Sequence, residues 1–142
     1  MGAGQVGVVG LGKMGWPMAR NLARARPFIR VQEVPAWARS SATTPCAGTA
    51  PAGSRASASR KADEHGGSAA AGPAGFAPVD VLVTMLPDDT AVRSALIDWD
   101  GGIAATLRRG TVVVDMSSSN PTGTLALGPL LAERGVALVD AP

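Results

Sequence analysis

The sequence is poor in the side chains on which most protein chemistry depends. Of its 142 residues one is cysteine, Cys46, and one is histidine, His65. A lone cysteine excludes an intramolecular disulfide and any multi-cysteine zinc site, and a lone histidine excludes a His-rich metal centre. Tyrosine is absent, and Lys13 and Lys61 are the only lysines. No apolar run reaches the roughly 18 residues that a membrane-spanning helix needs. No basic segment precedes an apolar stretch at the N-terminus, so no secretory signal is visible. Val6 stands where a myristoylation pattern requires Ser or Thr. The expectation is a soluble cytoplasmic protein with no membrane partner.

Charge is scarce as well, at 17% of residues, and unevenly placed. Residues 1–34 carry a net +4 and residues 79–142 a net −4, within an overall +2. Aromatic residues make up only 4% of the chain, and no dense Lys/Arg face interleaves with them. Nucleic-acid binding is therefore not expected. Apolar residues, at 46%, are enough for a core, and the length suits a single domain over 1–142.

The ordered-looking text alternates between strand and helix patterns. Val6, Val8 and Val9 form a short β-branched run ending at Gly10, as suits a strand buried on both faces. Met14, Met18 and Leu22 then recur with helical spacing, and Pro17 fits if the helix begins near Met14 or Gly15, because a first-turn N–H has no intrahelical partner anyway. Phe28 to Val34 reads as a second strand. After residue 78, Val79–Leu86 reads as a strand stopped by Pro87, and Asp88-Asp89 as a helix cap. Thr111–Asp115 is a further buried strand. Asn120-Pro121 starts a helix carrying Leu125, Leu127, Leu130 and Leu131, and Val136–Val139 is a last strand. The alternation implies an α/β fold with a doubly wound parallel sheet.

Residues 35–78 differ in kind. They contain no Val, Ile, Leu or Met, so they lack the apolar surface that offsets ordering entropy. They read as a low-complexity flexible segment, with at most a short Ala-rich helix around Ala69–Ala71. Cys46 and His65 fall here and are not expected to be functional.

Gly10-Leu11-Gly12-Lys13-Met14-Gly15 fits G-x-G-x-x-G between a strand and a helix. In that pattern the first glycine makes a tight turn, the second lets a pyrophosphate approach the backbone, and the third lets helix and strand pack closely. Free N–H groups at the helix start receive the phosphate charge. Glu33 follows 18 residues after Gly15, at the end of the second strand. A carboxylate there accepts from ribose hydroxyls and repels a 2′-phosphate, favouring NAD over NADP, with NADP still open. A glycine-rich turn without ligand and an S-adenosylmethionine site remain alternatives.

Val8 to Leu22, including Met18, Asn21 and Leu22, resembles the N-terminal signature of the 3-hydroxyisobutyrate dehydrogenase family of β-hydroxyacid dehydrogenases. Asp80–Pro87, Val114–Pro121 and Gly135–Pro142 are similar, in order, to its cofactor-covering loop, its serine-bearing segment and the start of its Asp-Ala-Pro motif. The resemblance covers most of the chain outside 35–78. It implies that the doubly wound sheet is a Rossmann-like NAD(P)-binding domain, and it implies hydride transfer between a nicotinamide cofactor and a small 3-hydroxy acid or semialdehyde. It places Gly10, Leu11, Gly12, Lys13, Met14, Gly15, Glu33, Leu86, Pro87 and Ser118 at the cofactor, and Ser117 and Ser118 at the substrate. Plainer roles stand beside these: Leu86-Pro87 as a strand end, Ser117–Ser119 as a serine-rich turn, Lys13 as a solvated charge, and Arg108 and Arg109 as cations at a helix C-terminus.

The sequence also departs from the family. Arg26 replaces a glycine that ends the first helix. Glu33 and Asp80 lie 47 residues apart, farther than in the family, and no candidate for its third strand is visible between them. An unselected insertion or a shifted reading frame would give such text. Neither lysine matches the family's catalytic lysine, and its helical second domain and oligomer interface have no counterpart. The expectation is a fragment without catalytic residues, inactive alone. The alternatives are a non-catalytic nucleotide-binding or assembly module, or the unstable product of a damaged gene.

Overall fold

The computed structural model describes residues 4–25, 29–32, 67–70 and 72–142. Within them, β1 (Val6–Val9) leads into α1 (Gly15–Ala25), then β2 (Ile29–Gln32) and β3 (Ser68–Ala69). A 3-10 turn (Pro73–Phe76) precedes β4 (Val81–Thr84) and the short α2 (Asp89–Arg93), which runs on through a π turn (Ser94–Asp98). Two further 3-10 turns, Trp99–Gly101 and Ile103–Ala105, lead to β5 (Val112–Asp115), α3 (Pro121–Ala132) and β6 (Ala137–Asp140).

The strands form one sheet in the order β3-β2-β1-β4-β5-β6, and every ladder is parallel. This is the doubly wound order, in which the chain starts at the centre and reverses direction between β1 and β4. The register levels the strand ends. Val9 pairs with Gln32 and Thr84, Thr84 with Asp115, and Asp115 with Asp140. The segments that follow Val9, Thr84 and Asp115 therefore leave the sheet along one edge.

Strand alternation sends successive side chains to opposite faces, and each face has its own cluster. Val8, Ile29, Val31 and Val83 pack with Leu11 and Ala19 against the α1 side, with Trp16, Met18 and Leu22 alongside. Val9, Leu82 and Val113 pack on the other face with Phe76, Val92, Leu96, Ile103, Leu127 and Leu131. The caps behave as their residue types require. Asp88 Oδ1 accepts from the Ala91 N–H at 2.8 Å, and Asn120 Oδ1 from the Thr122 N–H at 3.0 Å. Both satisfy donors that open a helix.

The structure corrects several expectations. Residues 67–70 and 72–78, expected to be flexible, are among those the structure describes, and Ala70, Pro73 and Phe76 are buried. The third strand, for which no candidate was visible, is Ser68–Ala69, paired with Arg30 and Val31 of β2; a backbone ladder needs no branched side chains, so this strand carries no apolar signature. Ala69 lies in that strand rather than in the expected short helix, and the next residue, Ala70, donates its N–H to Val31 O at 2.9 Å, while Ala71 lies outside the described residues. Phe76, the aromatic residue of this tract that falls among the described ones, is fully buried and supplies the apolar surface its neighbours lack. It fits because Gly7 beneath it has no side chain: a Cβ there would stand 2.8 Å from Phe76 Cδ1. Arg108 pairs with the Asp80 carboxylate at 2.8 Å and the Pro78 carbonyl at 2.6 Å instead of serving a helix dipole, since the preceding helical piece is only the turn Ile103–Ala105. Leu125 is 77% exposed, whereas Leu127 and Leu131 turn inward. Arg26, Cys46, Lys61 and His65 lie outside the described residues.

Candidate dinucleotide-binding site

Three loops meet along the levelled edge: the glycine turn after β1, the segment after β4 and the serine segment after β5. The glycine turn is set by packing. Gly10 has φ 97°, a conformation that L side chains rarely adopt. A Cβ on Gly10 would also drive into the Met85 carbonyl and reach 2.9 Å from Leu86 Cδ2. A Cβ on Gly15 would collide with the Gly10 carbonyl. Both glycines are thus explained by the protein's own backbone.

Gly12 is different. A Cβ there would meet no protein atom within 4 Å, and its φ is not left-handed. Nothing in the fold demands glycine at this position, yet the position fronts the N-terminus of α1. Gly12, Lys13 and Met14 are exposed, and their N–H groups find no acceptor among the described residues. Such donors at a helix start, reinforced by the helix dipole, suit an anion, and the missing side chain leaves room for it to approach. The turn therefore fits the pyrophosphate of a dinucleotide. Leu11, by contrast, is 3% exposed and points into the α1-side core, so it can serve the site only through its backbone.

The β4 segment abuts this turn. The Met85 N–H donates to the Val9 carbonyl at 2.9 Å. Leu86 is buried and Pro87 exposed. The Leu86 N–H donates to Ser117 Oγ at 2.9 Å, which joins the β4 segment to the β5 segment. Ser117 is fully buried, while Ser118 is exposed beside it. The structure thus brings together Gly10 to Gly15, Leu86, Pro87, Ser117 and Ser118. Glu33 lies outside the described residues; β2 ends one residue before it, level with Val9.

Sequence reasoning overlooked three residues of this edge. Asp115 is 1% exposed. Its Oδ1 accepts from Thr84 Oγ1 at 2.9 Å and from the Ser117 N–H at 3.0 Å. Its Oδ2 accepts from Ser119 Oγ at 3.1 Å. The available signal was a polar residue closing each of two otherwise apolar strands, Thr84 after Val81-Leu82-Val83 and Asp115 after Val112-Val113-Val114. Among the described residues no group of His, Cys, Asp and Glu could hold a metal ion, and no helix is long and apolar enough to cross a membrane.

Sheet order, levelled strand ends and glycine turn define a dinucleotide-binding domain of the doubly wound class. More particularly, residues 5–142 match the NAD binding domain of 6-phosphogluconate dehydrogenase, and the chain belongs to that family. It is 32% identical over 138 residues to the 2-(hydroxymethyl)glutarate dehydrogenase of Eubacterium barkeri, covering 97% of this chain and 39% of that protein. It is 30% identical to the NAD-dependent L-serine dehydrogenase of Pseudomonas aeruginosa, covering 97% of this chain and 40% of that one. Among solved structures it is similar to the Mycobacterium tuberculosis 3-hydroxyisobutyrate dehydrogenase with L-serine, at a TM-score of 0.75 and 27% identity, over 99% of this chain and 40% of that one. The chain is thus related to the 3-hydroxyisobutyrate dehydrogenases, and it spans about 40% of the length of the relatives it matches. Domains of this type bind NAD or NADP.

Proposed function

We propose that this chain is the cofactor-binding part of an NAD-dependent 3-hydroxyacid dehydrogenase or semialdehyde reductase. The observation that carries the reading is Gly12, a glycine that the fold does not need, beside N–H donors that find no acceptor among the described residues. When bound, the nicotinamide dinucleotide supplies a hydride acceptor or donor. The chain's own part is to hold it. The backbone of Gly12, Lys13 and Met14 binds the pyrophosphate, and Lys13 adds a positive charge beside it. Leu86 and Pro87 present the β4 segment to the dinucleotide, and Ser118 offers an exposed hydroxyl to the nicotinamide amide or to a substrate carboxylate.

NAD is the favoured cofactor because Glu33 follows β2 where that strand ends level with the glycine turn, and a carboxylate there opposes a 2′-phosphate. The name of the Pseudomonas aeruginosa relative, which specifies NAD, agrees with this. The proton that must move with the hydride needs an acid–base group. Neither Lys13, in the phosphate turn, nor Lys61, between β2 and β3, suits that task, so the 142 residues alone carry no turnover. Titrating the purified chain with NADH, followed by nucleotide fluorescence and calorimetry, tests the reading. Saturable binding with one site per chain is expected, and absence of binding for both NADH and NADPH would refute it.

A further inference from the structure

The Asp115 network is an expensive way to close two strands. A buried carboxylate needs several donors to offset its desolvation, and an apolar residue of similar size often serves stability as well or better. Among the described residues the ion pairs present are Arg93–Asp98 and Arg108–Asp80, and no cation reaches Asp115. What the carboxylate does is tie loops. Oδ1 gathers the end of β4 through Thr84 and the turn after β5 through the Ser117 N–H. Oδ2 gathers Ser119, next to the Asn120 cap of α3. Ser117, held this way, accepts from Leu86, and the Leu86 side chain backs the left-handed Gly10. Exposed Ser118 sits between two residues that Asp115 holds.

We infer that Asp115 is a positioning residue for the cofactor edge, fixing the β4 and β5 segments relative to the glycine turn, and that Ser117 works through Leu86 rather than by touching a ligand. The inference rests on the proposed cofactor binding. Its substance is that one buried carboxylate sets the placement of groups contributed by three strand ends. Recognition by backbone has no flexible side chain to absorb a misplaced loop, so loosening the tie reduces affinity even though Asp115 meets no part of the dinucleotide.

The test compares four variants of the full chain with the wild type: Asp115→Leu, Asp115→Asn, Ser117→Ala and, as a core lesion away from the edge, Leu131→Ala. Each is measured for NADH affinity, for urea stability and for exchange of the Leu86 amide. Asp115→Leu and Ser117→Ala are expected to weaken NADH binding on the order of 10-fold and to speed Leu86 exchange beyond what their global stability explains. Asp115→Asn keeps an acceptor toward Thr84 and Ser117, so it should stay within about threefold of the wild type. Leu131→Ala, although destabilised, should bind as the wild type does. Should Asp115→Leu not fold, Ser117→Ala carries the same reading. Affinities in Ser117→Ala and Asp115→Leu no lower than in Leu131→Ala would overturn the positioning role and leave the cofactor reading intact. A wild type that binds no dinucleotide would overturn both.

Discussion

Replacing Gly12 by alanine tests whether this glycine, unlike Gly10 and Gly15, is kept for the proposed ligand rather than for the fold. The added Cβ meets no protein atom within 4 Å and strains no backbone dihedral. Stability should therefore hold or rise slightly, by up to about 1 kcal/mol, because alanine restricts the unfolded chain more than glycine does. Affinity should move the other way. A phosphate oxygen accepting from a turn N–H lies about 2.9 Å from the nitrogen, whereas a methyl carbon wants about 3.5 Å or more from its neighbours. The phosphate must retreat, and losing one charge-assisted hydrogen bond costs about 1.5–3 kcal/mol, or roughly 10- to 150-fold in the dissociation constant. NADH titration beside a urea unfolding curve reads both quantities on one preparation. Wild-type affinity in Gly12→Ala, or a stability loss resembling that of a core mutant, would refute the reasoning.

The other glycines should fail differently: in Gly15→Ala the new Cβ meets the Gly10 carbonyl, and main-chain atoms yield poorly, so a loss of about 3 kcal/mol or more is expected in urea unfolding. Phe76→Ala should cost about 3–5 kcal/mol; a loss under about 1 kcal/mol would mean that the ring is not in the core. Wild-type chain should bind NAD roughly 5- to 1000-fold more tightly than NADP, from like-charge repulsion of about 1–4 kcal/mol at Glu33, and Glu33→Ala should narrow the gap; equal wild-type affinities would remove Glu33 from the site. No 3-hydroxy acid should be oxidised by the purified chain with NAD, and a rate that survives several columns would place an acid–base group where none is assigned.

Much of this architecture is written in the apolar runs. Val6–Val9, Val81–Thr84 and Val112–Asp115 declare themselves because strands buried on both faces need continuous branched residues. The caps Asp88 and Asn120 are equally plain, since each residue type answers a specific unsatisfied donor. Ser68–Ala69 left no trace, because its contribution is hydrogen bonding from the main chain, which every residue carries alike. Phe76 was hidden by its neighbours: one ring in a tract of small residues has no periodicity to betray it. At the site, the glycines were legible as a motif, but their separate purposes were not. Only the surrounding atoms show that Gly10 and Gly15 answer to Met85 and to each other, while Gly12 answers to empty space. Asp115 escaped for a related reason: Thr84 reaches it, and Leu86 reaches its neighbour Ser117, across the sheet, each from 31 positions away in sequence.

Binding by backbone, as proposed for the glycine turn, has a structural consequence. N–H groups cannot be tuned by exchanging side chains, so the position of the main chain has to be right. Here that position is set twice. Ladder register brings Val9, Gln32, Thr84 and Asp115 to one level, and the buried carboxylate then ties the segments that leave Thr84 and Asp115. The two devices act on different lengths. Register aligns whole strands through parallel ladders that a change at one side chain scarcely disturbs. The carboxylate fixes a few residues beyond the strand ends, where no ladder continues. A fold stabilised mainly by the apolar clusters on the two faces of the sheet can lose the second device and remain folded. Such a protein would keep its sheet and its glycine turn and, on the function proposed, would hold the dinucleotide less firmly. Affinity and stability are therefore expected to be separable at this edge in a way that they are not at Gly10 and Gly15, whose close backbone contacts shape the turn and hold the fold together.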